Sequence, residues 1–377
     1  MAIYLDCNAT TPIEPEVAEI IRFYTEQEFG NAGSRTHEYG VKAKQAVQKA
    51  RTQIASVIDG VDISDIIFTS GATESNNISI LGLLNWAKKN EKKHIVTTAI
   101  EHKSVLAPIA YAESLGFKVS YVNSTKSGVV LAEDVLSAIR EDTFLVSVMH
   151  INNETGIIQP ISKIAEGLHK QDCFFHVDAA QGFGKELNEL NHSRIDLISI
   201  SGHKIYGPKG VGALIIRRRK FKRPPLFPIQ FGGGQERGLR PGTLPVPLIS
   251  GFGLAAELCR KNQAKRTKVN SSFRKKLFQS LEGLNYEING DKFLSIPHTA
   301  NLSFNGLNSE AVMLVLKGII SVSNGSACTS QNYEPSHVLE SMGFSEERIQ
   351  SAIRFSWCHM TNEPNWNLIL NKIHSLL

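Results

Sequence analysis

The sequence predicts an α/β fold with a mostly parallel sheet that is covered by helices on both faces. The main observation is an alternation, from about residue 17 to residue 249, of short apolar runs with longer helix-like stretches. Such alternation is typical of parallel strands that are connected by helices. The chain has 377 residues, which is enough for a large core and two domains.

Six apolar runs are predicted as strands of this sheet, because each is short and is followed by polar or glycine-containing residues. They span residues 66–70, 94–98, 118–122, 144–149, 174–178 and 196–200. Helix-like stretches lie between them, as at residues 76–89 and 104–115. The alternation ends at a proline-rich and then a glycine-rich segment. A long helix-like stretch, residues 253–281, precedes a different mixture of short elements, so we expect a second, smaller domain.

Composition and charge exclude several classes of protein. The net charge of +5 is a mild excess that does not by itself indicate binding to nucleic acid. No stretch approaches the roughly 20 apolar residues of a membrane helix, and the N-terminus lacks the apolar core of a signal peptide. The five cysteines are widely spaced and form no CxxC pair, which favours neither a disulfide framework nor a zinc site. We expect a cytoplasmic protein without membrane association.

Lys204 is the first candidate for chemistry. It follows the predicted strand that ends at Ile200 and lies in a glycine-punctuated turn beside Ser201 and His203. Lysine is the side chain that forms a Schiff base with an aldehyde cofactor, and burial lowers its pKa enough to do so. The structural alternative is a lysine at a strand end that extends its ammonium into water.

Asp178 ends the preceding predicted strand, and Gln181 follows three residues later. A carboxylate at the carboxyl end of a parallel strand faces the crevice where α/β proteins bind ligands. Pyridoxal phosphate needs such a partner, because a carboxylate keeps the pyridine nitrogen protonated and makes the ring an electron sink. Gln181 is a donor for the ring's phenolic oxygen. A helix N-cap is the alternative role of Asp178.

A third segment, residues 66–77, is predicted as strand, glycine turn and helix start. Backbone N–H groups around Ala72 and the hydroxyl of Thr73 would form an anion site at the helix N-terminus. Ser201 and His203 would add donors, whereas Thr73 and Glu74 are alternatively plain capping residues. The three segments together fit one cofactor, pyridoxal 5'-phosphate.

With these residues in place, the chain resembles the cysteine desulfurases of the NifS/IscS family, in the class V aminotransferase group with PLP-dependent fold type I. The similar motifs cover residues 4–12, 100–105, 150–156, 232–238, 240–245, 323–330 and 353–357. Residues 6–9 and 31–37 most resemble the DndA branch, which serves bacterial DNA phosphorothioation. The resemblance implies a large PLP-binding domain of residues 13–252. It also implies a small α+β domain, formed by residues 1–12 and 253–377, that carries Cys328.

Cys328 is the candidate nucleophile. It lies in a stretch rich in Ser, Asn and Gly, residues 321–335, which is typical of a mobile surface loop. A cysteine on such a loop is available to react, whereas a core cysteine is usually inert. Persulfide chemistry needs a cysteine sulfur that reaches the cofactor, takes up the substrate's sulfur and then moves outward to deliver it. The alternative is an incidental exposed thiol.

The resemblance implies roles for further residues. L-cysteine would be the substrate, and Arg354 would bind its carboxylate with help from Asn31 and Asn153. His102 would stack on the pyridine ring and carry protons. Thr243 would reach the phosphate of the neighbouring subunit, which implies a homodimer. Alanine and a persulfide on Cys328 would be the products.

Several alternatives stay open. The chain could be another enzyme of this fold, such as an aminotransferase or a selenocysteine lyase, or a non-enzymatic scaffold. Direct DNA binding through the basic run of residues 217–223 is not favoured, because a solvated strand end is the commoner explanation of such a run. The sulfur acceptor could be a thiolation enzyme, an iron–sulfur scaffold or a tRNA-modifying protein. The apolar stripe of residues 365–377 predicts a helix that packs on the small domain rather than a docking edge.

Overall fold

The computed structural model describes residues 2–219, 221–325 and 334–376. Its strands are β1 (Ile3–Tyr4), β2 (Ile66–Thr69), β3 (His94–Thr98), β4 (Lys118–Val122), β5 (Thr143–Met149), β6 (Phe174–Asp178), β7 (Leu197–Ser201), β8 (Gly212–Ile216), β9 (Tyr286–Ile288), β10 (Thr299–Phe304), β11 (Ile320–Ser321) and β12 (Ala352–Ser356). Its α-helices are α1 (Pro15–Glu26), α2 (Glu38–Ala55), α3 (Ala72–Lys89), α4 (Lys103–Ser114), α5 (Ala132–Ser137), α6 (Ile161–Gly167), α7 (Val246–Ser280), α8 (Ser309–Val315), α9 (His337–Ser341), α10 (Glu346–Gln350) and α11 (Trp366–His374). Within the described ranges, no helix is long and apolar enough to cross a membrane.

The largest sheet has seven strands in the order β2-β8-β7-β6-β5-β3-β4. Strands β4, β3, β5, β6 and β7 run parallel to one another, whereas β8 is antiparallel to both β7 and β2. These strands are almost entirely buried, apart from the edge strand β4, as expected for a sheet with helices on both faces. The predicted α/β fold class is confirmed, and all six predicted strands belong to this sheet.

A smaller antiparallel sheet has the order β12-β10-β9, and β1 pairs in parallel with β11. Their core includes Leu5, Phe273 and Trp357, and α11 adds Ile369 and Ile373. The C-terminal helix therefore packs by its apolar stripe, as predicted. The predicted domain boundary between residues 252 and 253 lies inside the continuous helix α7, and the division into two domains stays a prediction.

Helix α7 packs closely on α1 and α2, because glycines lie at both contacts. A Cβ atom added at Gly253 would lie 2.5 Å from the Cα of Ala50 in α2. One added at Gly251 would lie 2.6 Å from the side chain of Ile21 in α1. The first contact is with backbone and the second with a side chain that can move, so the two glycines differ in how well they tolerate replacement.

The arginines of the basic run, residues 217–223, contact the protein itself. Arg217 is buried and donates to the carbonyls of His192, at 2.7 Å, and Asp59, at 2.9 Å. The Arg219 guanidinium lies 5.4 Å from the ring centroid of Phe174. The expectation of a solvated strand end is thus wrong for Arg217, because the carbonyls of His192 and Asp59 need donors and the Arg217 guanidinium supplies them. Lys220 lies outside the described residues.

Candidate active site

A cavity of about 400 Å³ lies at the carboxyl ends of the central parallel strands, the edge at which α/β folds bind ligands. Strands β5, β6 and β7 end there at Met149, Asp178 and Ser201. Its volume lies within the range of small-molecule sites, about 300–1,000 Å³. Most of the predicted site residues line it: Ala72, Thr73, His102, Asn153, Asp178, Gln181, Ser201, His203, Lys204 and Arg354.

The Asp178 carboxylate is held from two sides. Its Oδ1 accepts from the backbone N–H of Ala180 at 3.0 Å. Its Oδ2 accepts from the side-chain amide of Asn76 at 2.8 Å, and Asn76 lies fully buried in the first turns of α3. Donors fixed in this way hold the carboxylate in one direction.

Lys204 closes the single 3-10 turn, Gly202–Lys204, that follows β7. Its ammonium donates to the carbonyl oxygens of Asn8 and, at 2.9 Å, Ala9. The same carbonyl of Asn8 accepts from the side-chain amide of Gln181 at 2.9 Å. The N-terminal segment therefore lies against the lysine, which explains why residues so distant in sequence meet.

The N-terminus of α3 forms one wall of the cavity at Gly71, Ala72 and Thr73. No side chain caps this helix, so its N–H groups and the helix dipole favour an anion there. On the facing loop, His203 Nδ1 lies 3.1 Å from the Thr10 hydroxyl. Burial lowers the pKa of His203 to about 4, so it is a neutral hydrogen-bonding group at neutral pH.

His102 is the N-cap residue of α4. Its Nδ1 accepts from the backbone N–H of Ser104 at 3.1 Å and lies 2.8 Å from the Ser104 hydroxyl. Burial lowers the pKa of His102, although the nearby Asp178 carboxylate raises it. Beside it, burial raises the pKa of Glu101 to about 8.

Arg354 lies in β12 and is buried. Its Nη2 donates to Asp6 Oδ1 at 2.6 Å, and its Nη1 donates to the carbonyl of Asn153 at 3.0 Å. The Nε atom of Arg354 is buried without a hydrogen-bond acceptor among the described residues. A guanidinium at the cavity wall is suited to a carboxylate.

Three predicted residues stand apart from this set. Asn31 and Thr243 are exposed and do not line the cavity; Asn31 Oδ1 accepts instead from the Gly33 N–H at 2.8 Å. Cys328 lies outside the described residues. The first residue described after it, Glu334, pairs with Lys103 at 2.5 Å, and Lys103 is the neighbour of His102.

Sequence reasoning missed four contributors: the carbonyls of Asn8 and Ala9, Asn76 and Ser104. Asn76 is a buried amide three residues after Thr73, and Ser104 is two residues after His102. The sequence pattern does not single them out, because Asn76 meets Ser104 and Asp178 only when α3, α4 and β6 pack together.

Comparisons with known proteins agree with this site. The aminotransferase class-V family matches residues 3–365. A cysteine desulfurase IscS of Rickettsia massiliae is 46% identical over 382 residues, which covers 100% of this chain and 92% of the relative. The chain therefore belongs to the aminotransferase class-V family, a family that depends on pyridoxal phosphate, and within it to the NifS/IscS group of cysteine desulfurases.

Three solved structures share its fold. A NifS-like protein has a TM-score of 0.91 and 37% identity, with 100% of both chains covered. DndA from Streptomyces lividans has a TM-score of 0.82 and 46% identity, covering 95% of this chain and 98% of that one. SspA in complex with cysteine has a TM-score of 0.84 and 36% identity, covering 96% and 100%.

The residues of this cavity fit pyridoxal phosphate. The uncapped N-terminus of α3 offers donors to a phosphate, and the Asp178 carboxylate is already fixed by two donors. Gln181 Nε2, the donor predicted for the ring's phenolic oxygen, donates instead to the Asn8 carbonyl at 2.9 Å, and Gln181 Oε1 is buried without a donor among the described residues. Lys204, His203 and Ser201 would hold the cofactor from the facing loop.

Proposed function

We propose that this protein is a pyridoxal-phosphate-dependent cysteine desulfurase that converts L-cysteine to L-alanine and takes the sulfur onto Cys328. The observation that carries the proposal is the meeting of Lys204, Asp178, His102 and Arg354 in one cavity. The cysteine-bound SspA structure, 36% identical to this chain, supports L-cysteine as the substrate.

The cofactor, when bound, supplies an electron sink for negative charge at the substrate Cα. Asp178 would keep the ring nitrogen protonated, because its carboxylate is oriented by Asn76 and Ala180. Arg354 would bind the substrate carboxylate with its remaining donors, and Asn153 would assist. Arg354 and Asp178 are positioned before the substrate binds, so they need little reorientation during the reaction.

Lys204 would hold the cofactor and, once released, take the Cα proton at Nζ. The carbonyls of Asn8 and Ala9 accept hydrogen bonds from that ammonium, so they would stabilise it after it gains the proton. His102 would lie against the ring and carry protons between substrate and thiol.

Cys328 would attack the substrate sulfur as a thiolate. A bond forms between the two sulfur atoms, the substrate Cβ–S bond breaks, and the released carbon gains a proton to give alanine. Substrate and thiol therefore become alanine and a persulfide, with no external oxidant or reductant. Glu334, six residues after Cys328, pairs with Lys103 at the start of α4, next to His102.

The test is alanine and persulfide formation from L-cysteine by protein supplied with pyridoxal phosphate. We expect Cys328→Ser to lose both products, because a hydroxyl is a poor nucleophile towards sulfur. Cys173→Ser is the matched control, since Cys173 is a buried thiol that does not line the cavity. Absence of alanine with the unaltered chain, or full activity of Cys328→Ser, would reject the proposal.

We further propose a cytoplasmic homodimer, in which Thr243 serves the neighbouring subunit's site and Asn31 helps to bind the substrate carboxylate. The exposure of Thr243 outside the cavity supports its role between subunits. Light scattering measures the assembly, and a mixture of inactive Lys204→Ala and Thr243→Ala chains tests sharing. A shared site predicts that activity returns in the mixture, whereas a monomer would reject the proposal.

Two pathways are candidates for the persulfide. IscS of Rickettsia massiliae and DndA from Streptomyces lividans are both 46% identical to this chain. Residues 6–9 favour a DndA-like role in DNA phosphorothioation, and the curated relatives favour a general IscS-type donor. Radiolabelled sulfur from cysteine, followed into an iron–sulfur scaffold and into a thiolation enzyme in parallel, distinguishes the two.

A further inference from the structure

A continuous chain of hydrogen bonds joins Asp178 to His102 through the side chains of Asn76 and Ser104. Asn76 Nδ2 donates to Asp178 Oδ2 at 2.8 Å and to Ser104 Oγ at 2.9 Å. Ser104 Oγ lies 2.8 Å from His102 Nδ1. Asn76, Ser104 and Asp178 are all buried, so water does not compete freely for these bonds.

The direction of each bond follows from the donors that are present. An amide nitrogen has two hydrogens, and the Asn76 amide uses one for each acceptor. Because the carboxylate of Asp178 only accepts, it fixes which way the amide faces. Ser104 Oγ accepts one of these hydrogens, which leaves its own hydroxyl hydrogen for His102 Nδ1.

The backbone N–H of Ser104 also donates to His102 Nδ1, at 3.1 Å. Nδ1 thus receives two donors and needs its lone pair for both. In the neutral imidazole the single ring proton must then reside on Nε2.

We propose that Asn76 and Ser104 are positioning residues, which hold His102 as the neutral imidazole with its proton on Nε2. The use of the Nε2 proton in catalysis rests on the proposed function, whereas its location on Nε2 does not. A proton added to His102 must enter at Nδ1, and the Ser104 hydroxyl must turn away for it to do so. Ser104 therefore favours the neutral ring and opposes its protonation.

Other charged groups also act on this ring and remain in place when Ser104 is changed. Asp178 raises the pKa of His102, whereas Lys204, His337 and Lys103 lower it. A shift in the titration of His102 after a change at Ser104 alone therefore reports the lost hydroxyl.

The experiment is a long-range proton–nitrogen NMR correlation on holoenzyme labelled with ¹⁵N-histidine. The chain has 12 histidines, and the His102→Gln spectrum assigns the signal. We expect an unprotonated Nδ1 and a protonated Nε2 in the unaltered protein. In Ser104→Ala we expect His102 to protonate at higher pH. Its acid dissociation constant should fall about five-fold, which is the effect of one hydrogen bond.

Two variants separate this role from a general structural one. Ser104→Thr retains a hydroxyl and should restore the original titration. Ser79→Ala removes another buried hydroxyl, which donates to the Ser75 carbonyl at a distance of 2.8 Å rather than to His102. This variant should leave the titration of His102 unchanged. If Ser104→Ala does not fold, the His102 tautomer in the unaltered protein still tests the proposal.

A proton on Nδ1 in the unaltered protein, or an unchanged His102 titration in folded Ser104→Ala, would overturn the inference. Alanine formation measured on the same samples tests the proposed function separately. If the protein is inactive but His102 has its proton on Nε2, the proposed function is rejected and the positioning role stands. If the protein is active but His102 has its proton on Nδ1, the positioning role is rejected and the proposed function stands. In an active enzyme, Ser104→Ala should also move the acid limb of the rate profile to higher pH.

Discussion

Asp6 and Arg354 form an ion pair in which Oδ1 and Nη2 are 2.6 Å apart, and the arginine side chain is only 1% exposed. The backbone around the pair is equally interlocked: Asp6 bridges to Ser356, and Arg354 bridges to Ser323. The residue proposed to bind the substrate carboxylate is therefore joined to the N-terminal segment and to Ser323, five residues before Cys328. Substitution of Asp6 should therefore alter the binding of the substrate.

Asp6→Ala should raise the KM for L-cysteine more than it lowers kcat, because Arg354 loses one of the two acceptors that orient it. Removal of one partner from a buried ion pair also lowers the free energy of unfolding, by about 3–5 kcal/mol. Steady-state kinetics and urea unfolding measure the two effects. Asp142→Ala is the control, since it breaks the partly exposed pair with Arg140 and should alter neither. An unchanged KM in folded Asp6→Ala would show that the pair does not orient the substrate site.

Lys204→Ala should abolish the covalent attachment of pyridoxal phosphate. Borohydride reduction followed by peptide mass spectrometry should find the cofactor on Lys204 in the unaltered protein and on no peptide of the variant. Lys209 also lines the cavity, so Lys209→Ala is the matched control and should remain labelled. Label on Lys209 in the unaltered protein would contradict the assignment.

The central sheet and much of the cavity could be predicted from sequence, because local patterns determine them. Buried strands are apolar runs, and the polar residue at the end of each, such as Asp178, must face the ligand edge of a parallel sheet. The contacts from Asn8 and Ala9 to Lys204 could not be predicted in this way. They depend on backbone carbonyls, which are the same for every residue type, and on a contact between residues almost 200 positions apart.

Burial of charge was also beyond prediction from one sequence. Arg217 belongs to a run that looks solvated, yet it is buried and satisfies two carbonyls. Asn76 and Ser104 resemble ordinary helix residues, and their partners become visible only when α3, α4 and β6 are packed together. A pattern identifies which faces are apolar, whereas the pairing of buried polar groups depends on the tertiary arrangement.

Gly253→Ala should lower the free energy of unfolding by about 1–3 kcal/mol, because the added methyl group meets the backbone of Ala50 and forces α7 away from α2. Gly251→Ala adds the same methyl group one position before Phe252 but meets the side chain of Ile21, which can change rotamer. The second variant should therefore lose less stability than the first. Urea unfolding of both variants compares them, and equal losses would contradict this account of the helix contact.

Glu101→Gln should remove part of the pH dependence of stability. Burial raises the pKa of Glu101 from 4.5 to about 8 in the folded protein. Between these values the folded state retains a proton that the unfolded chain has lost, so stability falls as pH rises and levels off above about pH 8. Glutamine does not titrate, and its carbonyl can still accept from Thr98 and from the Met149 N–H, as Glu101 Oε1 does.

The stability of Glu101→Gln relative to the unaltered protein should therefore increase steadily from about pH 5 to about pH 8. Urea unfolding at a series of pH values measures the difference. Glu133→Gln is the matched control, because Glu133 is an exposed residue in the first turn of α5, and its curve should follow that of the unaltered protein. A constant difference between Glu101→Gln and the unaltered protein across this range would mean that Glu101 is already ionised in the folded state. A buried carboxylate beside His102 would then need a cation or water at Oε2, which has no hydrogen-bond partner among the described residues.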